Sequence, residues 1–289
     1  MALKKDVEQQ VNENYSATVD YMEQLNKALE LAIKDEKERK KQEQINDALL
    51  SAWLALMFAN LEDDLYNSAQ IGIDEADKQL KAKNITTVAD KNITAETYEK
   101  QVQARLESAK SDLITVAEEI KSNSKSVIRN IENTITKEQQ KKLADDLLKV
   151  LKENGITFFF DKAGRKWKIE NYVKMRTMTE TVQAQRMAFF TRGVQYGVDL
   201  VRNVHLGGGI GCKLCAPFAN KILSITGKTK GYMTIEEAML NGLYHPNCID
   251  VPIDLELIVE EIKKENKINL NEENKKRYEY NVKKNLKMF

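Results

Sequence analysis

Residues 205–248 read HLGGGIGCKLCAPFANKILSITGKTKGYMTIEEAMLNGLYHPNC. The chain of 289 residues has three cysteines and two histidines, and all five fall inside this stretch. Their order is His205, then Cys212-x2-Cys215, then, after 29 intervening residues, His245-x2-Cys248. Two x2 pairs separated by a loop allow each pair to supply one edge of a tetrahedron around zinc. The expected ligands are therefore Cys212, Cys215, His245 and Cys248, with His205 as an alternative ligand. Two blander readings stay open at this point. The cysteines could be small buried hydrophobes packed without metal, or Cys212-x2-Cys215 could be a redox pair. A redox motif, however, wants a strand before it and a helix after it, whereas a glycine run precedes this one and Pro217 follows.

Outward from that stretch, glycine and proline divide the chain. Before Gly155 stands one glycine, Gly72, and no proline, cysteine or histidine; the other glycines and all three prolines come from Gly155 onward. The expected organisation is a helical region at 1–154, a compact α+β domain at 155–252 and a C-terminal helical tail at 253–289. The fold class is thus α+β and predominantly α: long N-terminal helices, then a small domain with a β-hairpin and short strands, clipped by zinc.

In the N-terminal region apolar residues recur at intervals of three and four, the period of an amphipathic helix. Val11, Tyr15, Thr18, Met22, Leu25, Leu29 and Ala32 form one stripe, which runs into the charged segment KDEKERKKQEQ, read as a solvated helix. Ile45 to about Leu80 reads as a second helix centred on Trp53, Leu54, Met57, Phe58 and Leu61, buried on most sides. Its apolar run Leu49–Leu61 is too short to span a bilayer. After a loop around Asn84–Asp90, Thr94 caps a third helix. Its near-heptad stripe is Tyr98, Val102, Leu106, Ala109, Leu113, Val116, Ile120, Val127, Ile131 and Ile135. Thr136-x-x-Gln139 then reads as a capping box for a helix through Leu151.

From Gly155 the period changes to two. Ile156–Phe160, Asp161–Gly164 and Arg165–Ile169 spell a β-hairpin with glycine at the left-handed turn position. A helix follows over Glu170–Val194, and Asp199–Val204 and Lys221–Ile225 are expected strands. Thr234-x-x-Glu237 opens a short helix ending near Gly242, and Leu255–Phe289 reads as helical.

Formal charge is +1 with 31% charged residues of both signs, so no global polyanion-binding signature exists. The N-terminus lacks the apolar core of a secretory signal, and cysteines grouped as one ligand set suit a reducing compartment.

These motifs, taken in order, resemble one known family. Asp161-x-x-Gly-Arg-x-Trp167, Tyr172-x-x-Met-Arg-Thr177, Gly197-x-Asp-Leu-Val201 and His205 come first. Cys212-x2-Cys215-x-Pro217, Lys221-x-x-Ser-x-x-Gly227 and Gly242-Leu-x-His-Pro-Asn-Cys248 complete the series. Together they resemble the phage minor capsid protein 2 family, related to the Mu F-like and SPP1-type head morphogenesis proteins. The resemblance covers about residues 150–252. Where family members usually follow the His-Pro-x-Cys element with Arg-His or Arg-Cys, this chain has Ile249-Asp250. The resemblance implies a minor virion protein of a tailed phage or prophage that associates with the portal protein and with other capsid or scaffolding proteins. It would assist head assembly, DNA packaging or genome delivery, passing through the host bacterial cytoplasm during assembly, and would be structural rather than catalytic. Arg176, Thr177 and Glu180 match the family's helix motif, and a buried Arg176–Glu180 pair at i, i+4 is expected to orient that helix beside the hairpin.

Two other classes of function fit parts of the sequence. A metal-dependent hydrolase or nuclease would use the Cys/His cluster with Asp199, Glu236 or Glu237 as base, or pair His205 with Cys212 or Cys215 as nucleophile. A complete set of four ligands favours a closed structural site instead. The run Gly207–Gly211 lacks the Lys-Ser/Thr ending of a phosphate loop. A DNA-binding protein inside the virion would use basic helix faces, with packaged DNA as partner and affinity falling steeply with salt.

Overall fold

Alternation of apolar stripes with polar faces builds three long helices: α1 (Ala2–Lys34), α2 (Arg39–Ala82) and α3 (Ala95–Glu132). They lead to a hairpin of β1 (Phe158–Phe160) and β2 (Lys166–Lys168) and a fourth helix, α4 (Ile169–Gln195). Then come β3 (Leu200–Asn203), a 3-10 turn (Ala216–Phe218), β4 (Lys221–Ser224), α5 (Ile235–Leu240), β5 (Pro252–Glu256) and α6 (Glu272–Lys283). This computed structural model describes residues 2–35, 38–132, 142–143, 145–149, 158–161, 164–203, 212–246, 248, 252–257 and 266–284.

Two compact units divide the chain. One gathers Met1–Val7, Asp64–Arg105 and Met178–Phe289; the other gathers Glu8–Asp63 and Leu106–Thr177. They group residues differently from a cut at Gly155, because α1, α2, α3 and α4 each contribute a segment to both.

The second unit is helical, with the hairpin attached. Val11, Thr18, Met22, Leu25, Leu29 and Ala32 are buried on α1, and Trp53, Met57 and Leu61 on α2. Trp53 stacks on Tyr21 at 5.2 Å between ring centroids and donates its indole N–H to Thr18 Oγ1 at 3.3 Å, so its polar atom is satisfied inside the core. α2 is less enclosed than its apolar run suggests, for Ser51, Ala52, Ala55 and Leu56 face solvent. The run is amphipathic, with small alanines on its wet side.

The charged segment is not one continuous helix. α1 ends at Lys34 and α2 starts at Arg39, whose side chain is buried and donates from Nε to the Ala32 carbonyl at 3.2 Å. One arginine thereby satisfies a carbonyl that the end of α1 leaves open. On α3 the stripe holds from Val102 through Ile120 and then continues at four-residue steps through Ser124 and Ile128, so Val127 is only half-buried. Ile131, Ile135, Thr136 and Gln139 carry side chains outside the described residues.

The hairpin pairs Phe159 with Trp167 across antiparallel strands. Gly164 takes φ +76°, and Asp161 accepts from the Arg165 N–H at 2.9 Å and the Trp167 indole N–H at 2.9 Å. Phe159 and Trp167 both meet Tyr172 of α4 edge-on. Burial pushes the Tyr172 hydroxyl up to about 12. Arg176 pairs with Asp112 of α3 at 2.9 Å.

In the first unit an antiparallel sheet has the order β4-β3-β5, with Val201 opposite both Leu223 and Leu255. β5 corrects the reading of Leu255 onward as helix. Leu255 is fully buried between the half-buried Asp254 and Glu256, a strand's period of two. Pro252 stands at the strand's first position, where its missing N–H is tolerated. The tail's helix is confined to α6, which opens with a reciprocal Asn271–Asn274 capping box. Glu180, at the start of α4's share of this unit, is buried and pairs with Arg105 at 3.7 Å.

Candidate metal centre

Both x2 pairs lie on tight turns of the same kind. The Cys215 N–H donates to the Cys212 carbonyl at 3.1 Å, and the Cys248 N–H donates to the His245 carbonyl at 2.9 Å. Each turn brings its first and last side chains to one side, which is what a spacing of two residues achieves for metal ligands. The first turn runs into the 3-10 turn that feeds β4, with Pro217 fitting its start. The second follows α5, whose Thr234–Glu237 capping box is present as expected. That helix is closed by Gly242 at φ +101°, and Tyr244 follows at φ +56°.

The turns face each other. Among the described residues, Cys212, Cys215 and His245 have ligand atoms that all lie within 4.8 Å of one another. Cys212 Sγ stands 2.7 Å from His245 Nε2, and Cys215 Sγ stands 3.6 Å from Cys248 Sγ. Three side chains from the two turns thus converge, while Cys248 stands outside that group and meets it at Cys215. A tetrahedron with zinc–sulfur bonds of about 2.3 Å has S···S edges of about 3.8 Å, close to the Cys215–Cys248 separation. Three sulfurs and an imidazole are a soft donor set suited to zinc. His245 Nδ1 lies 2.7 Å from the Pro246 carbonyl oxygen, which leaves Nε2, the nitrogen facing Cys212, available to a metal. All three cysteines are free of disulfides. His205, the alternative ligand, lies outside the described residues, as does the glycine run Gly207–Gly211.

Around the cluster stand polar side chains, all but Asn271 buried, that spacing alone did not reveal. Asn203, at the end of β3 and fully buried, donates to the Phe218 carbonyl at 3.1 Å and accepts from the Tyr244 hydroxyl at 2.9 Å. It ties the segment after Cys215 to the residue before His245. From α4, Gln183 donates to the Tyr244 carbonyl at 3.1 Å and Arg186 to the Cys248 carbonyl at 2.8 Å. From α6, Asn271 donates to the Lys213 carbonyl at 2.8 Å, and Asn274 to the carbonyls of Leu214 at 2.9 Å and Asn241 at 2.8 Å. The only advance sign of this shell was a run of glutamines and an arginine where a core helix should be apolar.

The carboxylates considered as bases have other work. Asp199 accepts from Ser224, Thr226 and Thr229, and Glu237 closes the α5 capping box. Glu236 is exposed.

The family model for Phage minor capsid protein 2 matches residues 2–285. The chain belongs to the phage minor capsid protein 2 family. The match takes in α1 to α3 as well as the motif-bearing segment, so membership extends well beyond the 150–252 span that the motifs cover. No curated protein and no solved structure matches the chain. Among the described residues no helix is long and apolar enough to cross a membrane.

Proposed function

We propose that this minor capsid protein associates with the portal of a tailed-phage or prophage head and assists head assembly, packaging or genome delivery. In this reading its role is structural, and Cys212, Cys215, His245 and Cys248 hold one zinc ion. The family match over 2–285 carries the virion assignment. The convergence of two x2 turns carries the metal assignment. When bound, zinc would staple turns from distant points of the chain, and its binding free energy would be folding free energy. With Cys248 joining the three grouped side chains, four protein ligands would close the coordination sphere and leave no position for a substrate or water, as in a structural rather than a catalytic site. The engagement of Asp199 and Glu237 within the fold supports it further.

Co-expression with the portal protein of the same phage genome tests the assembly role. The two proteins are expected to co-elute on size exclusion at moderate salt. Separate elution under conditions in which the portal assembles would contradict portal association and leave the family assignment intact.

A further inference from the structure

We propose that the outer face of α2 binds a second copy of this chain, the two helices running antiparallel about a two-fold axis at Ala52. The association needs neither the metal nor the portal, and every residue concerned lies in the second unit. At about 100° of turn per residue, Ile45, Leu49 and Leu56 share an arc about 120° wide with Ala48, Ala52, Ala55 and Ala59. Ile45 is 36% exposed and Leu56 47%, the four alanines are exposed, and Leu49 is half-buried. No polar side chain stands on that arc between Lys41 at one end and Asp63 at the other, both of them exposed. An apolar face that continues over several turns in this way marks a site of association.

Self-complementarity identifies the occupant, because a two-fold interface presents the same patch to itself. With the axis at Ala52, Lys41 faces Asp63 of the partner subunit, and symmetry gives this pair twice. Ile45 faces Ala59 of the partner subunit, Leu49 faces Ala55 of the partner subunit, and Leu56 faces Ala48 of the partner subunit. Each large side chain thus meets a small one, and alanine on the axis lets the two backbones come close. A parallel pairing would set lysine beside lysine and aspartate beside aspartate, which like charges oppose. Lys41 touches Glu38 at 3.2 Å, but an exposed pair of this kind is worth little and does not hold the ammonium in place. The face is small beside a standard interface of roughly 800 Å² per partner, so the dimer should form in a concentration-dependent way.

Sedimentation equilibrium of the full chain across a dilution series reads the association. The native chain should pass from monomer to dimer as concentration rises. Ala52→Glu sets two carboxylates on the axis and should leave only monomer. Lys41→Asp turns both charge pairs repulsive and should weaken the dimer roughly tenfold. Adding Asp63→Lys to Lys41→Asp reverses each pair and should bring the dissociation constant back to within a few-fold of native. That recovery also controls for folding, since a misfolded single variant would not be rescued by a second exposed change. A double variant that dimerises no better than Lys41→Asp alone would overturn the antiparallel pairing, as would a dimer that Ala52→Glu leaves intact. A native chain that stays monomeric throughout overturns the proposal; if Ala52→Glu then abolishes co-elution with the portal, the face belongs to the portal instead.

Discussion

Asp199 shows how one carboxylate can hold a loop that looks functional. It accepts from the Ser224 hydroxyl at 2.7 Å, from the Thr226 N–H at 2.8 Å and hydroxyl at 2.6 Å, and from the Thr229 N–H at 3.0 Å. Burial alone would raise its pKa, but the hydrogen bonds from Thr226, Ser224 and Thr229 outweigh that and hold the carboxyl below its ordinary 3.8. A depressed folded-state pKa contributes stability at pH values above the unfolded-state value and loses it as pH falls through the folded-state value. Asp199→Asn should therefore lower stability at pH 7 by on the order of 1 kcal/mol, a modest figure for a partly exposed group. In urea titrations the gap from native should shrink below about pH 4; a gap that stays constant down to pH 3 would show that the carboxylate charge is not what holds the loop. Gly72 illustrates what a residue can and cannot say in advance. Its isolation was visible in the sequence; its reason was not. A Cβ there would overlap the Gln185 carbonyl oxygen of α4, a contact made across more than a hundred residues of chain.

At the scale of elements, the helices were readable because their stripes are long and their buried faces continuous, as on α1 from Val11 to Ala32. The hairpin was readable from Gly164 and the alternation around it. β5 was not, since five residues of alternating pattern beside a charged segment resemble a helix start, and pairing with β3 decides between the two. The break after Lys34 was hidden because nothing local marks Arg39 as a cap for α1. α6 was expected as a helix but not as a clasp, because it docks through asparagines rather than an apolar stripe. Both Asn274 and Asn281 are buried, and Asn281 donates to the Leu240 carbonyl at 2.9 Å. Asn274→Ala removes two clasp hydrogen bonds and half of the capping box. It should cost about 1–3 kcal/mol in local stability. Hydrogen exchange should then rise over α6 and the Cys212–Cys215 turn while α1 keeps its protection. Unchanged exchange over α6 would mean that the asparagine contacts do not hold it.

For the molecule as a whole, the sequence signalled a helix-rich chain with a small sheet and one soft-ligand cluster, and the structure has these parts. The grouping into compact units was not readable from glycine and proline usage, because α1, α2, α3 and α4 each supply residues to both units. The proximity of Cys212, Cys215 and His245 was readable, these being rare residue types at metal-binding spacing. Their supporting residues were not, since Asn203, Gln183, Arg186 and Asn274 are common types that acquire meaning only through what they touch. Family membership over 2–285 makes the whole chain, not the ligand cluster alone, the unit to be explained. The central claim is that one metal ion unites two turns at the heart of the small sheet-bearing part. The zinc content of natively purified, reduced protein tests it most directly. About one zinc per chain is expected, lost on Cys215→Ser substitution. A native protein with no bound zinc, whose three cysteines all react freely while it stays folded, would contradict the account.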